Sequence, residues 1–190
     1  MTARQAFNRF DRTIRQMRSR AVLRRIGENV RLLDVGCGQD NFFVRTAPKL
    51  LAGSLGIDPN LRDEALDERG RRTTLDQVLD ETNAQFDVVT SLAVIEHLPV
   101  DQVPAEMKSF LAALRPGGRL VLTTPSPRAR PVLEFLAYRL RVISADEIRD
   151  HRHYYTHGEL LRLAEDAGFK NASVKSFQLG MNTLLEATAA

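Results

Sequence analysis

The stretch Leu32-Leu33-Asp34-Val35-Gly36-Cys37-Gly38 constrains what this chain can fold into more than any other. A short apolar run ending in Asp-x-Gly-x-Gly reads as a buried strand that feeds a glycine turn. Glycine has no Cβ, so the turn can be sharp and a nucleoside-bearing ligand can lie close against the backbone. Twenty positions beyond Gly38 a second apolar segment, Ser54-Leu55-Gly56-Ile57-Asp58, ends in an acid. In an open α/β sheet this is where a carboxylate accepts hydrogen bonds from both ribose hydroxyls of a nucleoside.

The same glycines could serve a dinucleotide. A pyrophosphate, however, calls for a third small residue where the next helix begins, so that phosphate reaches the backbone N–H groups. This chain continues Gln39-Asp40-Asn41, and a carboxylate there repels phosphate. A ligand with a cationic end and no phosphate tolerates Asp40. Asp40 also reads as the N-cap of the following helix, accepting from the backbone N–H near Phe43.

The rest of the pattern alternates strands with helices. Strands are expected near Arg31–Val35, Ser54–Asp58, Arg72–Leu75, Phe86–Ser91 and Arg119–Thr124, and helices near Phe42–Leu51, Leu61–Arg69, Leu75–Glu81, Val103–Leu114 and Thr156–Ala167. Such alternation predicts a mostly parallel sheet with helices on both faces. Two β-like stretches, Ala172–Phe177 and Asn182–Ala187, end the chain. Only a few residues around Gly180 separate them, so they are expected to pair as an antiparallel hairpin at the sheet edge.

Four further segments stand in order behind the glycine turn: Gly56-Ile57-Asp58-Pro59, Phe86-Asp87-Val88-Val89-Thr90-Ser91, Ile95-Glu96-His97-Leu98 and Leu114-Arg115-Pro116-Gly117-Gly118-Arg119-Leu120. A His-Tyr-Tyr-Thr…Leu…Ala-Gly-Phe segment follows them. On these residues the chain, from Arg31 onward, resembles a class I S-adenosylmethionine-dependent methyltransferase. The resemblance implies a Rossmann-like, doubly wound, seven-stranded α/β sheet and S-adenosylmethionine as cofactor. It also implies that Asp34, Gly36, Cys37 and Gly38 line the methionine end of the cofactor, with Ser91 and Leu92 closing that side. Asp58, with Pro59, is then the ribose acid, and Asp76, with Gln77, is the acid that accepts from the adenine amino group. Where the family usually has glycine, this chain has Asp40.

Methyl transfer from a sulfonium needs few dedicated groups, because the cofactor is already activated and the protein chiefly orients, excludes water and, where required, removes a proton. His97 follows the fourth strand, and His153 and Tyr154 lie on a segment expected to converge on the same pocket. If the acceptor is a hydroxyl, a histidine titrating near neutrality is the natural base. The alternative is that these side chains cap loops or fill core. Glu96, His97, His151 and His153 raise a metal question. Metal-using quinone-biosynthesis relatives carry a second glutamate three residues before the Glu-His pair, where this chain has Ala93, so no metal is expected.

With 190 residues the chain has the length of one domain, 1–190, with a helical extension at 1–28 and a lid or substrate insertion at 125–155. The prolines at Pro125 and Pro127 stop a strand at its ligand-side end, which is why the lid is placed there. No run is long enough to span a bilayer and no signal-peptide pattern opens the chain, so a cytoplasmic protein is expected. The lone Cys37 sits inside the glycine turn and reads as structural.

Nine arginines between Arg4 and Arg31 face only Asp11 and Glu28. Phe7, Phe10, Ile14, Met17 and Ala21 recur among them at helical spacing, which predicts an amphipathic helix packed across the cofactor cleft with a solvated basic face. Weak contact with an anionic membrane surface stays open. Nucleic acid is disfavoured, because the arginines lack interleaved aromatics and Ser91-Leu92-Ala93-Val94 stands where base-amine methyltransferases carry an Asn/Asp-Pro-Pro-aromatic motif. The function these readings favour is methylation of a small-molecule, lipid-linked or sugar-linked metabolite by a monomer or homodimer. The alternatives are a cofactor-binding protein without catalysis and an RNA methyltransferase.

Overall fold

The computed structural model describes residues 3–81, 85–135 and 150–190. Its centre is a seven-stranded sheet in the order β3-β2-β1-β4-β5-β7-β6. The strands are β1 (Leu32–Val35), β2 (Leu55–Ile57), β3 (Gly70–Arg71), β4 (Phe86–Leu92), β5 (Leu114–Pro125), β6 (Lys170–Phe177) and β7 (Asn182–Thr188). Neighbours from β3 to β5 pair in parallel, and β7 runs antiparallel to both β5 and β6. The doubly wound sheet with a C-terminal hairpin is therefore observed, although the hairpin inserts β7 next to β5 and leaves β6 at the edge.

Consecutive residues of the central strands point to opposite faces, and each face has its own core. On one side Leu32, Val88, Val121 and Leu184 pack against Val22 and Ile26 of α1 (Ala3–Ile26) and Phe43 and Val44 of α2 (Phe42–Thr46). On the other, Leu33, Val89, Leu122 and Leu185 pack against α3 (Leu75–Glu81), α4 (Val103–Ala113) and α6 (His157–Ala167), through Val78, Met107, Phe110 and Leu160. A short α5 (Ala129–Glu134) follows β5.

Several elements differ from their sequence-based expectations. Residues 61–69 do not form a helix. Only a 3-10 turn, Asp63–Ala65, is present, because Leu61 and Ala65 tuck against Cys37 while the chain folds back in an Asp67–Gly70 bridge. A Cβ on Gly70 would meet the Ala65 carbonyl oxygen at 2.2 Å, so the return is tight. The third strand consequently sits at Gly70–Arg71, ahead of the expected 72–75, and α2 ends at Thr46 well short of Leu51. Asp40 does not cap α2. The N-cap is Asn41, in the left-handed region at φ 50°, whose buried side chain donates instead to the Arg69 carbonyl at 2.6 Å.

The face that α1 turns inward is also rotated from the predicted stripe. Met17 is exposed, whereas Ser19, Val22 and Ile26 are buried. Val22 and Ile26 lie on the sheet, and Arg119 closes the helix end by donating to the Arg25 and Ile26 carbonyls at 2.7 and 2.8 Å. The Phe7 and Phe10 side chains and residues 136–149 of the expected lid lie outside the described residues.

Candidate functional site

A cleft of about 540 Å³ opens where β1, β2 and β4 end, a volume in the range of small-molecule sites. Its floor is the glycine turn. The Gly36 and Cys37 N–H groups both donate to the Ile57 carbonyl, at 2.9 and 3.0 Å, which ties the end of β1 to β2. Gly36 stands at φ +72°, and a Cβ there would lie 2.5 Å from a Val94 methyl, so only glycine fits between the turn and the loop after β4. Gly38 has φ +75° with open space around its missing Cβ, which leaves room for a ligand against the backbone.

Asp58 is fixed on this floor through both oxygens. Gly38 N–H donates to Oδ2 at 3.0 Å and Asn60 N–H donates to Oδ1 at 2.7 Å. Each oxygen keeps a second lone pair for a ligand hydroxyl. Asp34, fully buried at the end of β1, accepts from Thr90 Oγ1 at 2.6 Å. Burial pushes its carboxyl up to about 7, an effect the nearby Asp58 charge reinforces and the Thr90 hydrogen bond opposes. A cation arriving beside Asp34 would relieve that penalty. Burial, with Asp34 and Asp58 adding to it, also raises the Cys37 thiol, which keeps it protonated and inert as a nucleophile.

Of the residues expected to hold a cofactor, Asp34, Gly36, Cys37, Gly38, Asp58, Pro59 and Leu92 come together in the cleft. Ser91 lies one residue behind it, fully buried, and its Oγ has no hydrogen-bond partner among the described residues. The structure does not bring Asp76 and Gln77 to the cleft. Gln77 accepts from Thr73 Oγ1 at 2.7 Å and from Thr74 N–H at 3.2 Å, and so closes the start of α3. Asp76, on the same turn, meets Ser109 of α4 at 3.5 Å. Both sit in the first turn of α3, which begins at Leu75 as expected, and their side chains are taken up by α4 and by the Thr73–Thr74 turn.

Among the three residues expected to do proton chemistry, His97 alone lines the cleft. Its Nδ1 lies 3.2 Å from Asp150 Oδ2, and its ring meets that of His151 edge-on at 4.7 Å. Tyr154 stands behind, its hydroxyl 3.0 Å from His151 Nδ1. His153 is turned away: its Nε2 pairs with Glu159 Oε1 at 3.0 Å, within the capping box that Thr156 and Glu159 make at the start of α6.

The sequence reading placed the N-terminal helix across the cleft through its apolar stripe, but the helix residues that line the cleft are others. Arg15, Arg18 and Ser19 of α1 line it, at the i, i+3, i+4 spacing that shares one helix face. Arg15 pairs with Asp40 at 2.8 Å and lies over the Phe42 ring at 4.5 Å. Phe42, Phe43, Asn60, Ala93, Val94 and Leu98 complete the lining.

A family model described as a methyltransferase domain matches residues 3–174. The chain is 28% identical over 150 residues to the ubiquinone biosynthesis O-methyltransferase of Aeromonas salmonicida, covering 73% of this chain and 62% of that protein. It is 29% identical over 136 residues to the human mitochondrial protein of the same name, covering 63% of this chain and 33% of the relative. The chain thus spans a third to just under two thirds of the length of these relatives. A methyltransferase from Mesorhizobium loti described as S-adenosylmethionine dependent shares the fold with a TM-score of 0.63 at 20% identity, covering 88% of this chain and 96% of that one. The Synechocystis magnesium protoporphyrin IX methyltransferase with bound S-adenosylmethionine does so with a TM-score of 0.61 at 15% identity, covering 97% and 84%.

Proposed function

The chain belongs to the class I S-adenosylmethionine-dependent methyltransferases, and on that premise we propose that it moves a methyl group from this cofactor to a hydroxyl of a small-molecule acceptor. The observation that carries the reading is the pairing of Asp58, pinned by two backbone N–H groups, with the buried Asp34 across a glycine turn that has open space at Gly38. The donor set suits the cofactor's chemistry. Two carboxylates beside the glycine turn match a ligand with an ammonium, a sulfonium and a ribose. Asp34 would face the ammonium, Asp58 would hold the ribose hydroxyls, and Pro59 with Asn60 would flank the nucleoside.

When bound, the cofactor supplies a methyl group on a positive sulfur, already activated for displacement. The chain's own part is to align the acceptor and keep water out. Arg15, Arg18 and Ser19 line the cleft from α1 and would close it, and His97, on the same lining, would face the acceptor. Two of the α1 arginines support a small molecule over a nucleic acid, because Arg15 turns back onto Asp40 at 2.8 Å and Arg25 onto Glu186 at 2.6 Å. Among the described residues no helix is long and apolar enough to cross a membrane. Incubating the protein with methyl-labelled cofactor and separate metabolite, lipid and RNA fractions tests the reading. Label is expected in an organic metabolite; label confined to RNA would overturn it.

A further inference from the structure

His97 lines the cleft, and its neighbours decide which of its two ring nitrogens carries the hydrogen. Nδ1 lies 3.2 Å from Asp150 Oδ2. A carboxylate accepts hydrogen bonds and does not donate, so in the neutral ring the hydrogen sits on Nδ1. Nε2 is then bare, with a lone pair able to take up a proton. The two partners stand 53 positions apart in the chain, and no local pattern links them.

The segment that carries Asp150 is fastened to the turn that carries His97, because Arg152 N–H donates to the Glu96 carbonyl at 2.7 Å. His151 meets the His97 ring edge-on at 4.7 Å, and its own Nδ1 lies 3.0 Å from the Tyr154 hydroxyl. These contacts brace the His97 ring, while Asp150 sets its tautomer. The surroundings also suit a ring that gains a charge. Burial, with the His97 charge adding to it, lowers His151 to about 4, so this neighbour stays neutral near pH 7 and adds no repulsion. Glu96 is pushed up by burial, and its Oε2 is taken by Thr124 at 3.0 Å, which leaves Asp150 as the carboxylate on the ring. Arg18, on the α1 wall, bears on Glu96 and His151 and opposes added positive charge; Asp150 offsets it.

We propose that Asp150 is a positioning residue for methyl transfer: it holds His97 with the hydrogen on Nδ1, so that the bare Nε2 takes the proton of the acceptor hydroxyl. The inference rests on the methyl-transfer reading and deepens it. Asp150 does not itself line the cleft, so it acts through His97. Without a carboxylate at Nδ1, an imidazole in water prefers its hydrogen on Nε2. That tautomer has no lone pair to offer from Nε2.

The hydroxyl proton passes to Nε2 while the acceptor oxygen forms its bond to the methyl carbon, and the electron pair of the broken C–S bond stays on the sulfur. His97 then carries a full positive charge. Asp150 balances it at Nδ1 until Nε2 gives its proton to solvent, which returns the ring to the starting tautomer.

The test is nitrogen magnetic resonance on the full chain, isotope-labelled at its histidine rings, with the His97 signals assigned by their absence in His97→Gln. At pH 8 the wild type is expected to show a protonated Nδ1 and a bare Nε2 at His97. In Asp150→Ala the two nitrogens should exchange character, and Asp150→Glu should restore the wild-type pattern. Turnover of methyl-labelled cofactor with the metabolite fraction should fall about tenfold in Asp150→Ala, recover in Asp150→Glu, and fall by about 10²–10⁴-fold in His97→Gln. Asp150 is exposed, so its removal should shift the melting temperature by no more than about 2 °C and leave cofactor affinity unchanged, as a mere loop brace would not predict alongside the lost turnover. A hydrogen on Nε2 in the wild type, or unchanged turnover in Asp150→Ala, would overturn the inference. Label accepted from no fraction would sink the methyl-transfer reading, whereas the nitrogen spectrum would still decide whether Asp150 sets the His97 tautomer.

Discussion

Asp34→Asn should make the protein more stable above neutral pH and worse at holding its cofactor. The carboxyl is fully buried and its pKa rises from the ordinary 3.8 to about 7, chiefly through burial. For a group raised in the folded state, folding takes up a proton between the two values, so its contribution is intact below about pH 4 and is lost as pH climbs to about 7. At 1.36 kcal/mol per unit this span costs the native state on the order of 4 kcal/mol by pH 8. Asparagine keeps an oxygen to accept from Thr90 Oγ1 and carries no charge, so the loss should vanish. In a domain of this size ~4 kcal/mol corresponds to a melting temperature higher by roughly 8–16 °C. Melting curves of wild type and variant at pH 5 and pH 8 read it directly: the gap between them should open with pH. Cofactor affinity should show the converse, rising about tenfold for wild type from pH 6 to pH 8 as Asp34 ionises and staying flat in the variant. A variant that melts no higher than wild type at pH 8, with an unchanged pH profile, would refute the reasoning.

Two further outcomes follow from the cleft. Removing residues 1–20 strips Arg15, Arg18 and Ser19 from its wall but keeps Val22 and Ile26 on the sheet, so turnover should fall more than tenfold while the melting temperature moves only a few degrees. Equal losses of both, measured by assay and calorimetry, would make α1 a structural element only. Asp76→Ala should leave cofactor affinity unchanged, because the carboxylate meets Ser109 and not the cleft; a tenfold weakening in a titration would restore it to the adenine site.

The parts of the molecule that sequence discloses are those set by short-range chemistry. Leu32–Val35 is a fully buried strand, its apolar residues serving both cores, and the glycines after it are demanded by Val94 and by the ligand space. The Thr156–Glu159 capping box marks the start of α6 unaided. Residues 61–69 misled because Leu61 and Ala65 have helical spacing, yet they satisfy a local packing with Cys37. Ion pairs from Asp63 to Arg72 and from Asp67 to Arg45 hold that turn open. The turn sets β3 at Gly70–Arg71, whereas α3 still begins at Leu75. Long-range partnerships left less local mark: the apolar stripe put the helix across the cleft, but nothing near Arg18 or His151 in the chain tells that the first lines it and the second meets the His97 ring edge-on.

The most direct test of the central claim is a calorimetric titration of S-adenosylmethionine into the full chain and into Asp58→Ala. Asp58 already accepts from Gly38 and Asn60, so its orientation is fixed before any ligand arrives, and its free lone pairs are the ones a ribose needs. Hydrogen bonds to a charged acceptor contribute about 1.5–3 kcal/mol, so the variant should bind roughly 10- to 150-fold more weakly. One site with that loss is the predicted result. No binding to the wild-type chain, or equal affinity in both, would contradict the account.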